Sequence, residues 1–151
     1  MATPAALDQY TVSTDRSRLD VDTIHRFLSE DSYWAKGRSR DATDRAIENS
    51  FPLGVYLGGE QVAFARVVTD TITFAWLADV FVLPGHRGRG IGKLLVESVL
   101  AHPEFKDMKR WFLGTADAHE LYRQFGFSEP VNPGRFMSIE TFSEAPAPAA
   151  D

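Results

Sequence analysis

Hydrophobic residues along the chain follow either the two-residue period of strands or the wider spacing of helices. The segments with strand character are residues 10–13, 51–57, 61–69, 71–82, 110–114 and 136–141. The segments with helix character are residues 20–29, 41–49, 90–100 and 118–125. In chain order they predict βααβββαβαβ, a mixed α/β (α+β) sheet within one domain.

Turn residues predict how the strands are joined. Gly58-Gly59 is a two-residue hairpin signal, and a turn near Asp70 extends the hairpin into a three-stranded antiparallel meander. The apolar run at 110–114 predicts a buried strand, parallel to the strand that ends at Val82 because a helix lies between them.

Polar residues that can cap a helix precede the first two helical segments. These residues are Asp20 or Asp22 for the first helix and Asp41 or Thr43 for the second. The second helix is expected to place Ala42, Ala46 and Ile47 inward. Residues 1–9 are predicted to be a flexible terminus, residues 10–141 the domain, and residues 142–151 a disordered Pro/Ala tail.

A loop rich in glycine and arginine separates the strand ending at Val82 from the helix that follows it. Arg87-Gly88-Arg89-Gly90-Ile91-Gly92 places glycines at alternate positions just where the helix begins. Glycine allows close approach of the backbone to a ligand, and the first N–H groups of a helix favour anions. The segment therefore predicts a site for phosphate or another anion.

Spacing distinguishes three kinds of anion-binding loop. A P-loop that ended at Gly92-Lys93 would need glycine in place of Arg87, and it would need Ser or Thr in place of Leu94. A dinucleotide loop that began at Gly88 would need glycine in place of Lys93. The segment instead fits every position of R/Q-x-x-G-x-G/A, and it resembles the loop of the GNAT N-acetyltransferase superfamily.

A second segment supports this resemblance. Ala118-His-Glu-Leu-Tyr-Arg-Gln-Phe-Gly-Phe127 is similar to the superfamily pattern A-x-x-[FL]-Y-x-x-x-G-F, one helix and one strand after the glycine loop. The family usually has Asn where this chain has Thr115, which keeps a hydroxyl but lacks the amide. The resemblance implies a GNAT fold along about residues 10–141.

The resemblance also implies acetyl-CoA as cofactor. The residues expected to bind it are Val80, Phe81, Val82, Arg87, Gly88, Arg89, Gly90, Ile91, Gly92, Lys93 and Thr115. The loop amides would hold the pyrophosphate, the arginines would add charge-assisted bonds, and the strand would pair with the pantetheine arm.

Two residues are candidates for catalysis. Tyr122 could protonate the CoA thiolate as it leaves the tetrahedral intermediate, or it could simply pack in the core. Asp79 stands in an otherwise apolar run, so it either has a charged partner such as Arg66 or a raised pKa suited to a general base. A water chain is the alternative base. His25 and His86 are predicted to be surface residues.

Four residues are predicted to line the acceptor pocket. Tyr33 and Trp34 could hold an amine by cation–π contact, whereas Arg38 or Arg66 would favour a substrate that carries a carboxylate. The expected activity is acetylation of a small-molecule amine by direct attack on acetyl-CoA. The alternatives are a CoA-binding sensor module without turnover and a protein or peptide N-acetyltransferase.

Composition limits the partners, the metal sites and the cellular location that we expect for this activity. A net charge of -5 argues against a nucleic-acid partner, and the absence of cysteine excludes a thiolate metal site and a cysteine nucleophile. The chain has neither a secretory signal nor an apolar run that could span a membrane, which predicts a cytoplasmic protein without a membrane partner. Edge strands of the sheet could pair between subunits as a homodimer.

Overall fold

A five-stranded sheet lies at the centre of the structure, a computed structural model that describes residues 5–141. The five strands lie side by side in the same order in which they occur along the chain. They are β1 Tyr10–Ser13, β2 Phe51–Leu57, β3 Glu60–Thr69, β4 Ala75–Val82 and β5 Trp111–Phe112. The α-helices are α1 Val21–Arg26, α2 Arg40–Glu48, α3 Ile91–Leu100 and α4 His119–Arg123. Strands β1 to β4 pair antiparallel, and β4 pairs with β5 in parallel. The predicted mixed sheet, meander and parallel crossover are confirmed.

Each face of the sheet carries its own hydrophobic cluster. Side chains of α3 such as Leu95 pack on one face against Leu53 and neighbouring strand residues. On the other face, Phe64 and Phe81 pack against the α1 region, where the ring of Phe81 stacks on Phe27 with centroids 4.2 Å apart. Packing on both faces fixes the strand register, since a one-residue shift would exchange the side chains of the two clusters and disrupt the packing of both.

Several predicted boundaries were wrong because local polar contacts compete with the hydrophobic pattern. Strand β4 begins at Ala75 rather than Thr71, since the Asp70 carboxylate accepts bonds from the N–H groups of Ile72 and Thr73 and forms a turn. Strand β5 spans residues 111–112 only, and its side chains are half-buried instead of buried.

The second helix also differs from its prediction. Ser39 caps α2 by accepting a bond from the N–H of Ala42, so neither Asp41 nor Thr43 is the cap. The inward face is also different from the prediction, since Thr43 is buried and Ala42 is exposed.

The predicted last strand is absent. Residues 136–141 have no strand partner among the described residues and lie exposed. Of the predicted flexible N-terminus, Leu7–Gln9 forms a 3₁₀ helix and residues 1–4 lie outside the described part of the chain. The predicted tail at 142–151 also lies outside it. No helix within residues 5–141 is long and apolar enough to cross a membrane.

Candidate active site

Strands β4 and β5 separate soon after they pair, and the site is built around this separation. Their ladder joins only Ala75 to Trp111 and Trp76 to Phe112. Beyond it, β4 continues to Val82 with no partner strand on its β5 side in the described structure. Backbone N–H and C=O groups need partners, so this open edge can bind an extended ligand that carries amides.

The glycine loop follows the end of β4, in the part of the sheet where β4 and β5 have separated. Gly88 and Gly90 have φ of 78° and 84°, in the left-handed region that glycine adopts without strain. Helix α3 starts immediately afterwards, and its first intrahelical bond runs from the N–H of Leu94 to the carbonyl of Gly90. No side chain caps this end of the helix. The preceding amides are therefore available to an anion, as the sequence pattern predicted.

The two loop arginines have different partners. Arg87 donates from Nε to the carbonyl of Val82 at 2.9 Å, so it fastens the loop to the end of β4. Arg89 donates from Nη1 to the hydroxyl of Tyr10 at 2.8 Å, and that hydroxyl lies 2.8 Å from Nδ1 of His86. Strand β1 thus helps to hold the loop.

Sequence reasoning missed this tether. His86 is half-buried and bonded to Tyr10, and His25 is half-buried and bonded to Thr43, so the prediction of both as surface residues was wrong. No local pattern could have indicated a contact that spans 76 positions.

Tyr122 lies on α4 in the wall of a groove of about 830 Å³ beside β5. Its side chain is buried, and its ring meets that of Phe127 edge-on with centroids 5.9 Å apart. Its hydroxyl makes no hydrogen bond with any described residue. Burial, together with nearby Tyr33 and Asp117, raises the pKa of Tyr122 to about 12. The phenol therefore stays protonated at neutral pH.

The loop between β5 and α4 connects Tyr122 to the N-terminal region. Thr115 accepts a bond at Oγ1 from the N–H of Ala118 at 3.0 Å, which organises the turn that enters α4. Tyr33 accepts at its hydroxyl from the N–H of Ala116 at 2.7 Å. The predicted acceptor residue Tyr33 is thereby tied to the loop that leads into α4, the helix of the predicted acid Tyr122.

Asp79 occupies a β-bulge in β4. Phe64 pairs with Phe81 and Arg66 with Ala78, so Asp79 and Val80 together oppose the single residue Ala65. Asp79 has φ of 53°, an uncommon conformation that Asp tolerates better than most residues. The extra residue turns the Asp79 side chain toward the α1 face.

Three donors converge on the Asp79 carboxylate. Trp34 donates from Nε1 to Oδ1 at 2.8 Å, and Arg38 and Arg66 donate to Oδ2 at 2.8 and 2.7 Å. The carboxylate is 3% exposed, whereas the arginine side chains are 22% and 14% exposed. Burial by itself would raise the pKa of Asp79, but Arg66 and Arg38 outweigh it and hold the pKa below its ordinary value.

The structure thus brings most of the predicted site residues into one continuous arrangement. The glycine loop and the open edge of β4 form one part. Tyr122, Tyr33, Trp34, Arg38, Arg66 and Asp79 form the other, joined to the first through β4. An open strand edge that ends at a helix start with uncapped amides suits a ligand that carries both amides and phosphates.

Residues 21–127 match the Acetyltransferase (GNAT) family, and the chain belongs to this family of acetyltransferases, which use acetyl-CoA. A Gibberella zeae protein described as an acetyltransferase is 34% identical to it, over 75% of each chain. A structure from Xanthomonas campestris pv. campestris, described as an acetyltransferase of the GNAT family, is 48% identical with a TM-score of 0.85, over 87% of this chain and 93% of that one.

A more distant structure shares the fold alone. A GNAT family acetyltransferase from Elizabethkingia anophelis with acetyl-CoA bound is 15% identical with a TM-score of 0.64, over 91% of this chain and 93% of that one. The GNAT fold, the acetyltransferase activity and the family assignment from the two motifs are therefore confirmed.

Proposed function

We propose that the protein transfers the acetyl group of acetyl-CoA to the amine of a small molecule that carries a carboxylate. The catalytic part of the proposal rests on Tyr122, a largely buried phenol on α4 whose hydroxyl has no hydrogen-bond partner among the described residues. The hydroxyl of Tyr122, unlike that of Tyr56, is not fully enclosed, and Tyr122 lines a groove from which a ligand could reach the proton.

The chain offers acetyl-CoA two kinds of binding group. The amides at the start of α3 and the arginine at position 87, whose terminal nitrogens have no described partner, suit the pyrophosphate. The unpaired edge of β4 from Val80 to Val82 suits the amides of the pantetheine arm. Acetyl-CoA supplies the activated thioester when it is bound there.

Tyr122 then acts on the leaving sulfur. Attack by the amine forms the C–N bond, and collapse of the tetrahedral intermediate breaks the C–S bond. A phenol with pKa about 12 holds its proton more tightly than an ordinary thiol, whose pKa is about 8.5. We therefore assign Tyr122 a relay role: it donates to the sulfur while it receives the proton that the attacking nitrogen loses.

Asp79 is better suited to positioning than to removing the first proton from an ammonium acceptor. Its carboxylate already accepts three hydrogen bonds, and two cations lower its pKa. A base must have both a free lone pair and some affinity for protons. We assign that deprotonation to water and give Asp79 the role of orienting Arg38 and Arg66.

The arginines favour an acceptor with a carboxylate. Two guanidinium groups share one carboxylate, which leaves one net positive charge on the α1 face of the site. Within the described residues, Arg66 donates a hydrogen bond only from Nε, to Asp79. Its two terminal nitrogens can therefore form a bidentate pair with the carboxylate of a ligand. By contrast, Trp34 is occupied, since its indole N–H binds Asp79 and its ring packs edge-on against Tyr33. A cation–π site is therefore the weaker reading.

Thiol release from acetyl-CoA with a panel of amines tests the activity. The panel pairs each amino acid with its own carboxamide, so that only the carboxylate differs. Turnover should favour the acids, and Tyr122→Phe should lower kcat about 100-fold or more without changing acetyl-CoA affinity. Tyr56→Phe is the matched control, since Tyr56 is also buried but lies on β2. Tight binding of acetyl-CoA with no turnover on any amine would instead support a sensor module.

Arg66→Gln tests the acceptor class separately. A lost charge-assisted bond costs about 1.5–3 kcal/mol, so KM for the acids should rise roughly tenfold or more while KM for the carboxamides stays unchanged. Arg45→Gln, at a side chain that is 76% exposed, is the control. An equal rise for both members of each pair would exclude carboxylate recognition by Arg66.

A further inference from the structure

The α1 region covers only one end of its face of the sheet. Phe64 and Phe81 are buried beneath it, but Val68 and Trp76, near the other end of β3 and β4 on the same face, are each 40% exposed. Val68 and Trp76 are direct cross-strand partners, so their side chains lie next to each other. A contiguous apolar patch of this kind often marks a binding site, and tryptophan is enriched at such sites.

Three phenylalanine rings border this open area. Phe112 pairs with Trp76 across the β4–β5 ladder, and the centroid of its ring lies 5.3 Å from that of Phe74 and 5.1 Å from that of Phe136. Phe74 and Phe136 are 41% and 48% exposed. Since a whole aromatic side chain buries roughly 150–250 Å², the exposed parts amount to roughly a few hundred Å². A stable protein interface needs about 800 Å² from each partner, so the patch suits the apolar part of a small ligand.

Trp76 lies where the gap between β4 and β5 begins. Its pair with Phe112 is the last of the β4–β5 ladder, and beyond it the open edge of β4 leads toward the glycine loop. Its six-membered ring lies beside Gly114, where an added Cβ would be 3.7 Å from the indole Cζ2. Gly114 also lines the groove that contains Tyr122. The indole therefore borders both the open face of the sheet and the groove of the proposed acid.

The cationic part of the site adjoins this apolar surface. Arg66 precedes Val68 by two residues on β3, and its partner on β4 is Ala78, two residues after Trp76. Arg66 and Trp76 are thus diagonal neighbours on one face, a relation that separates two residues by about 7–8 Å. Ala78 contributes only a methyl group on that face. A ligand that lies here therefore meets a guanidinium group and an indole ring side by side.

We propose that the acceptor is an amino acid with a large apolar side chain, whose carboxylate binds Arg66 while its side chain lies on Trp76. This inference rests on the proposed function and narrows its substrate class. The carboxylate, the side chain and the amine are all attached to one carbon atom. Binding of the first two groups therefore fixes the position of the third, which is the group that attacks. Trp76 determines specificity in this arrangement and takes no part in proton transfer.

The ratio of kcat/KM for phenylalanine to that for glycine tests the role of Trp76. The wild-type ratio should be about ten or more, because burial of a large apolar side chain supplies at least that factor. Trp76→Ala should lower the ratio about tenfold, and Trp76→Phe should restore most of it. Arg66→Gln should reduce kcat/KM for both acceptors by a similar factor and so keep the ratio, since both carry the carboxylate. Trp111→Phe is the matched control, because Trp111 packs against Phe105 on the opposite face of the sheet. A wild-type ratio near one, or a ratio that Trp76→Ala leaves unchanged, would overturn the proposal.

Calorimetric titration separates this inference from the proposed function, because it needs no turnover. The protein in complex with CoA is titrated with N-acetylphenylalanine and with N-acetylglycine, the products of the two expected reactions. The wild type should bind the phenylalanine product about tenfold or more tightly than the glycine product, and Trp76→Ala should lose this difference. The same preference in a protein that acetylates no amine would contradict the proposed activity and support the apolar site. Equal affinity of the wild type for the two products would reject the apolar site, whether or not the protein acetylates amines.

Discussion

Replacing Asp79 by Asn tests whether this carboxylate organises the site or acts as its base. Asn keeps the shape of the side chain and tolerates the positive φ at the bulge, so the change is mainly electrostatic. It leaves Arg38 and Arg66 next to each other without their shared anion. Breaking a buried ion pair costs about 3–5 kcal/mol, and the partial exposure of both arginines reduces this to about 2–3 kcal/mol.

Chemical denaturation of the variant and the wild type measures this cost. Asp44→Asn is the matched control because Asp44 pairs with Arg40 on the exposed face of α2, where a pair contributes about 0.5 kcal/mol or less. Because the folded pKa of Asp79 is lowered, its contribution is fully present above the unfolded pKa of about 3.9. The difference between wild type and variant should therefore be constant from about pH 5 to 8 and should shrink as the pH falls further.

The pH profile of kcat/KM gives the decisive comparison with the base hypothesis. If Asp79 orients the arginines and water takes the proton, Asp79→Asn keeps the shape of the profile and the affinity for acetyl-CoA. A base would give a different pair of results: loss of the limb of the profile that reports its titration, and a rate loss of about 100-fold or more. That combination would refute the positioning role.

Three further substitutions probe the loop and the core. Gly90→Ala should weaken acetyl-CoA binding about tenfold, as measured by calorimetry, because a φ of 84° costs alanine about 1–2 kcal/mol. Gly85→Ala is the control, since Gly85 has no positive φ, and it should leave acetyl-CoA binding unchanged. Tyr10→Phe removes the partner of Arg89 and should raise the Kd for acetyl-CoA a few-fold with kcat unchanged; an unaltered Kd would mean that the tether is dispensable. Tyr56→Phe should stabilise the protein by about 1 kcal/mol in denaturation experiments, because the Tyr56 hydroxyl is buried without a hydrogen-bond partner among the described residues; a loss of stability would contradict this.

The meander and the glycine loop could be predicted because their signals are local. Gly58-Gly59 and the apolar alternation on both sides define the hairpin within a few residues. The Arg-Gly loop likewise contains within itself the positive φ values and the helix start that make an anion site. Elements whose partner lies far away in the sequence were less predictable. The pattern at residues 136–141 has strand character, but a strand also needs an edge, and the chain's own β5 does not receive it.

The bulge at Asp79 is a part of the site that the sequence pattern did not predict. Ala75 and Leu77 face the α3 side of the sheet, and so do Val80 and Val82, which requires one extra residue between the two pairs. That irregularity is visible in the sequence only as a shift in the apolar alternation around one charged residue. Its consequence, a carboxylate turned toward Arg38 and Trp34, depends on a loop that lies more than 40 positions earlier.

Asp79 and Tyr122 show why such a site cannot be assigned a proton donor and a base from sequence alone. Both side chains are buried, and for both groups burial disfavours the charged form and raises the pKa. For Tyr122 burial prevails, with smaller contributions from Tyr33 and Asp117 in the same direction, and the pKa reaches about 12. Asp79 has two arginines within hydrogen-bonding distance, so the same burial is outweighed and the pKa falls. A polar residue in an apolar run therefore predicts that a pKa is perturbed, while the sign depends on partners that only the fold brings together.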